Sequence, residues 1–99
     1  MLYAIIARDV PNSLALRARV RPAHLARLQE LRDEGRLVLA GPHPEIDSPE
    51  AGPAGYSGSL IVAEFESLES ARKWAKTDPY AITGVFSSFE VRPFLKVLP

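Results

Sequence analysis

The sequence predicts an α+β fold with the element order β-α-β-β-α-β. Three observations predict it. Apolar runs rich in β-formers lie near both ends and in the middle of the chain. Two segments between them carry apolar residues at helical spacing. Turn clusters of Pro, Gly, Asn and Asp separate the runs.

The first strand is expected over Leu2 to Val10, ended by Pro11-Asn12-Ser13. Asn12 or Ser13 can cap a helix with its side-chain oxygen. Leu14 to Gly35 reads as helical with one interruption, because Pro22 lacks an N–H and restricts Arg21 before it. A short turn, a break near Arg21 and a main helix from Pro22 are therefore expected. At about 100° per residue, Leu28, Leu31 and Gly35 of that helix share a narrow arc, with Leu25 and Arg32 at its edge. Gly35 is a good helix stop.

Arg36 to Ala40 is expected as the second strand, ended or bent by Gly41-Pro42. His43 to Ser57 contains Pro44, Pro49, Gly52, Pro53 and Gly55 and reads as a loop. Loops of that length in small domains are usually functional or mobile. Gly58 to Glu66 is the third strand. Ser67 caps a helix from Leu68 whose buried side is Leu68, Ala71 and Ala75, with Trp74 beside them. Asp78-Pro79 halts it, and Pro79 to Thr83 adds a turn. Phe86 to Val97 is a last, alternating strand in which Pro93 marks an edge or a bulge. This order is the split βαβ pattern of a ferredoxin-like plait, an antiparallel sheet with both helices on one face. The 99 residues are expected to form one domain, 1–99.

Strand alternation predicts a partner. Tyr3, Ile5 and Ala7 share one face with Ile61, Ala63, Phe65, Phe89 and Val91, and this face should meet the helices. The other face carries Leu2, Ala4, Ile6, Leu60, Val62, Phe86 and Phe94, with Arg8, Glu64, Glu90 and Arg92 around them. That is too apolar for a solvated sheet face. A homodimer through the open face is expected, since an identical chain is the simplest closed partner.

Composition excludes several functions. Lys and Arg total 12, as do Asp and Glu, so the basic excess of a non-specific nucleic-acid binder is missing. With 46% hydrophobic and 24% charged residues the chain has ordinary globular proportions. It has no cysteine, which excludes disulfides, thiol catalysis and thiolate metal sites. The apolar run at the start is too short for a membrane span or secretory core, so a cytoplasmic location is expected. No phosphate-binding loop appears. Two histidines, His24 and His43, among scattered carboxylates give no metal-ligand spacing. No metal and no organic cofactor are expected.

The residues suited to chemistry are few. His24 falls inside the arc of Leu28 and Leu31, in the expected first turn of the main helix, where the dipole favours a neutral imidazole. Such a group can act as a general base, although a buried, merely hydrogen-bonded histidine fits the position too. Asp78 before Pro79 is a good helix cap, and it could also orient an imidazole. His43 reads as a loop residue. Ser57 and Ser59 flank Gly58 without a nucleophile-elbow pattern. Arg17, Arg19, Arg21, Arg27 and Arg32 could meet an anion but read better as a solvated face.

The stretches Arg21-Pro22-Ala23-His24-Leu25-Ala26-Arg27-Leu28, Glu34-Gly35-Arg36-Leu37 and Ala40-Gly41-Pro42 resemble the YciI-like proteins. So do Phe65 to Ala71, Asp78-Pro79-Tyr80, and the ending Gly84-Val85-Phe86 through Val91-Arg92-Pro93-Phe94. The resemblance runs from Met1 to Leu98. It implies a ferredoxin-like fold that assembles as a dimeric α/β barrel, with a cleft centred on a histidine–aspartate pair, here His24 and Asp78. Arg8, Gly41, Pro42, Ser59 and Tyr80 are the expected ligand contacts, and the Pro44–Tyr56 loop should shape the pocket. A related enzyme carries out dehydrochlorination of a chlorinated aromatic, so a small-molecule elimination, isomerisation or hydrolysis is implied. The alternative is a non-catalytic dimeric binding or accessory protein for a small ligand.

Overall fold

The computed structural model describes all 99 residues, Met1–Pro99. Four strands, β1 (Leu2–Asp9), β2 (Leu37–Pro44), β3 (Tyr56–Glu64) and β4 (Phe86–Phe94), form one sheet in the order β2-β3-β1-β4. Every neighbouring pair is antiparallel. Helix α1 (Leu14–Asp33) crosses from β1 to β2, and α2 (Leu68–Lys76) and the one-turn α3 (Pro79–Ile82) link β3 to β4. β3 lies between β1 and β2, which makes this the ferredoxin-like plait.

The core lies between the sheet and the helices. Tyr3, Ile5, Ile61, Ala63, Phe65 and Val91 meet Leu28 and Leu31 of α1 and Ala71 and Ala75 of α2, with Phe89 and Trp74 packed around them. Alternation thus assigned these positions to the right face. Phe86 is an exception. The register between β1 and β4 shifts at Arg8/Asp9, because Arg8 pairs with Ser88 but Asp9 pairs with Phe86. The extra residue is a β-bulge, which inverts the parity beyond it. Phe86 therefore turns inward, and its ring meets Tyr80 edge-on at 5.6 Å.

The expected break in the first helix does not occur. α1 is continuous through Pro22. A proline inside a helix removes one hydrogen bond, here the one to the Ala18 carbonyl. The packing of Arg17 and His24 on one side and Leu28 and Leu31 beyond them holds both halves to the sheet. Ser13 is at the N-cap position, but its hydroxyl makes no capping bond and donates instead to Asp9 Oδ2 at 2.6 Å. At the other end, Gly35 takes a φ of 72°. Its N–H bonds the Arg32 carbonyl and the Arg36 N–H bonds that of Leu31, a Schellman stop.

β2 also runs further than expected, through Gly41-Pro42 to Pro44. Two prolines are tolerated because β2 is a sheet edge bonded only to β3. Pro93 sits likewise on the opposite edge, and β4 ends at Phe94, not Val97. Ser67 caps α2 as expected, accepting from the Ser70 N–H at 3.0 Å. No helix is long and apolar enough to cross a membrane.

Candidate functional site

His24 lies in the middle of α1, not in a first turn, so the field of a helix terminus does not reach it. Its place is set by α3 instead. Asp78 caps α3 by accepting the Tyr80 N–H on Oδ2 at 3.0 Å. The same Oδ2 lies 2.7 Å from His24 Nδ1. The other oxygen, Oδ1, faces Arg27 Nη1 at 3.4 Å. Arg27 is fixed in turn by the Trp74 carbonyl at 3.0 Å and the Trp74 ring at 4.3 Å. The Asp78 side chain is only 2% exposed. Cap and histidine partner are therefore one group, and both roles expected of Asp78 are compatible.

This contact decides the tautomer of a neutral His24. A carboxylate only accepts, so Nδ1 carries the proton and Nε2 keeps its lone pair. Nε2 has no protein partner, and no enclosed side-chain nitrogen or oxygen is left unpaired, so Nε2 opens to the cleft. The imidazole plane is held by Tyr80, whose ring stacks on it at 3.9 Å and 10°. Burial pushes the Tyr80 phenol above its usual value of 10.0, against the pull of Arg17 and Arg21.

Arg17 lies seven residues before His24, two helical turns away and on the same face. It is buried, not solvated as its helix suggested. Its Nε–H donates to Asp9 Oδ2 at 2.6 Å. Nη2 is placed by Asp9 Oδ1 at 3.1 Å, the Gly58 carbonyl at 3.0 Å and Ser59 Oγ at 2.7 Å. The rings of Tyr56 and Tyr80 lie 5.1 and 4.9 Å from its guanidinium carbon. One signal in the sequence pointed here. Asp9 continues the inward series of Tyr3, Ile5 and Ala7, so a carboxylate at the helix side of the sheet needs a cation nearby.

Above these groups is a cleft of about 340 Å³ between α1, the β2 edge and α3. His24, Arg17, Ser59, Tyr80, Gly41 and Pro42 line it, and Asp78 stands behind His24 without reaching it. Arg8 is not part of it. Position 8 of β1 has the parity of Leu2, Ala4 and Ile6, so its side chain is exposed on the far face of the sheet. The Pro44–Tyr56 loop contributes to the wall only through Tyr56 at its end. No three His, Asp or Glu side chains gather as a metal-ligand set.

The model of the YCII-related domain matches residues 1–95. The chain belongs to the YCII-related family. Among its YCII-related relatives is protein YciI of Escherichia coli O6:H1, 58% identical and covering 98% of this chain and 99% of its own. An uncharacterized protein of Haemophilus influenzae is 48% identical over the same shares. Among solved structures, 5-chloro-2-hydroxyhydroquinone dehydrochlorinase from Burkholderia phenoliruptrix AC1100, in complex with 2,5-dihydroxybenzoquinone, has this fold. The superposition gives a TM-score of 0.83 at 27% identity, covering 96% of this chain and 94% of that one. A YCII-related fold at this likeness thus includes an enzyme acting on a small ring compound.

Proposed function

We propose that the protein is a small-molecule enzyme in which His24 is the general base and Asp78 its orienting partner. The observation that carries this reading is the 2.7 Å contact between His24 Nδ1 and Asp78 Oδ2, with Nε2 free in a cleft. Asp78 fixes the tautomer and offsets the charge of the imidazolium that forms. The elimination proceeds with atoms and electrons in balance. Nε2 takes a proton from the keto form of the ring, the electron pair released becomes a new π bond through the conjugated system, and a leaving group departs from a saturated ring carbon with its own bonding pair. Such a step consumes no oxidant, and the reading invokes neither metal nor organic cofactor. The likeness to a dehydrochlorinase favours chloride as leaving group and a hydroxylated ring as substrate.

Release of chloride from 5-chloro-2-hydroxyhydroquinone, and from a panel of chlorinated and hydroxylated aromatics, tests this reading. His24→Ala is expected to lower turnover about a hundredfold or more. Asp78→Asn is expected to lower it strongly as well, since an amide can donate to Nδ1 and reverse the tautomer. Full turnover in a folded His24→Ala protein overturns the role of His24. A compound that raises the melting temperature but is recovered unchanged assigns the cleft to binding alone.

The same reading takes the protein as a cytoplasmic homodimer. Support for pairing comes from the sheet face opposite the helices, where Leu2, Ile6 and Leu60 are only partly covered and Phe94 is exposed. The lack of cysteine suits a reducing compartment.

A further inference from the structure

Arg17 has donors that its buried partners do not use. The side chain is 8% exposed, and Nε and Nη2 are committed to Asp9, Gly58 and Ser59. Beyond these partners only the Tyr80 hydroxyl lies beside the guanidinium as an acceptor, and no enclosed side-chain nitrogen lacks a partner, so the N–H groups of Nη1 reach the cleft that Arg17 lines. Ser59 is in the same state. Its oxygen accepts from Arg17 Nη2, which leaves its own proton to be donated elsewhere.

The charge of the lining agrees. It holds two arginines, Arg17 and Arg21, and no carboxylate lines the cleft. Arg21 takes part in no ion pair. The fork to Asp9 and the two flanking tyrosine rings fix the guanidinium plane, so an acceptor on Nη1 is held in a set orientation. His24 and Arg17 both line this one cleft, with Tyr80 beside each of them, so one small ligand can touch both.

We propose that the ligand of this cleft is a small planar molecule with a conjugated oxygen anion, held by Arg17 Nη1 and the Ser59 hydroxyl while His24 Nε2 faces its carbon frame. This rests on the cleft being the working site, and it adds the class of ligand. The anion is a carboxylate, or an enolate or phenolate. Its proton-abstraction product would be stabilised by the same donors, because negative charge delocalises onto that oxygen.

Equilibrium calorimetry with two matched pairs tests it, using benzoate against benzamide and 4-nitrophenolate against 4-nitroanisole. At least one anion is expected to bind about tenfold or more tightly than its neutral partner. Which pair responds identifies carboxylate or phenolate as the recognised form. Arg17→Lys is expected to remove the difference, and Ser59→Ala to reduce it several-fold while leaving the Arg17–Asp9 pair intact. Equal affinities within both pairs, or no binding of either anion, overturns the proposal. So does unchanged binding in a folded Arg17→Lys protein. If that variant does not fold, the wild-type pairs and Ser59→Ala decide. No turnover enters the measurement, so its failure leaves the role of His24 untouched, and the reverse also holds.

Discussion

Tyr80 joins three kinds of chemistry at one ring. It stacks on His24, lies under the Arg17 guanidinium and meets the edge of Phe86. Its phenol titrates above 10.0 because burial disfavours the phenolate. Between 10.0 and the raised value the folded protein binds more protons than the unfolded chain. Stability therefore falls as pH rises through that window and is unaffected below it. Urea melts of wild type and Tyr80→Phe from neutral pH upwards are expected to diverge above pH 10.0, with the variant losing less stability. Parallel curves would mean that Tyr80 is not the group responsible. At this scale the sequence was partly legible. The inward arc of α1 identified His24, and Asp78-Pro79 identified a cap. Arg17 was misread because an arginine on an amphipathic helix is usually solvated. Its burial depends on Asp9, a residue of another element, and no single-element periodicity reports such a pair.

At Gly58 the backbone of β1 leaves no room for a side chain on β3. A Cβ there would collide with the Ala7 carbonyl oxygen, which belongs to the backbone and cannot swing aside. The Gly58 carbonyl is also an acceptor for Arg17. Gly58→Ala is expected to destabilise the fold by about 3 kcal/mol and to disturb the Arg17 site. A denaturant midpoint equal to wild type would show that the strands can part without loss. Elements were the most legible scale, since all four strands and both long helices follow from apolar spacing and turn residues. What escaped was local. Pro22 promised a helix break, but helix packing overrode it. Gly41-Pro42 promised a strand end, but an edge strand can carry proline. The bulge that turns Phe86 inward has no proline or glycine to announce it, because Ser87 supplies the extra residue.

The molecule as a whole has helices on one side of its sheet only. The open side carries Ile6 and Leu60 as cross-strand partners, flanked by Leu2 and Phe94. If two copies close over this face, Leu60→Arg places a charge at the centre of the contact. Sedimentation is then expected to give a dimer for wild type and about half that mass for the variant. A wild-type monomer at micromolar concentration would rule the pairing out. The topology itself was readable because the split βαβ order admits few arrangements.

The spacing between Arg17 and His24 also constrains how this chain can change in length. Both side chains share one face because seven residues make nearly two whole turns. Inserting a single residue between them would turn one about 100° away from the other, even if the helix survived. The segment after Pro44 carries no such phase, since it reaches the cleft only through Tyr56. Insertions and deletions should therefore accumulate in that loop and be purged from the middle of α1, whatever residues occupy either place.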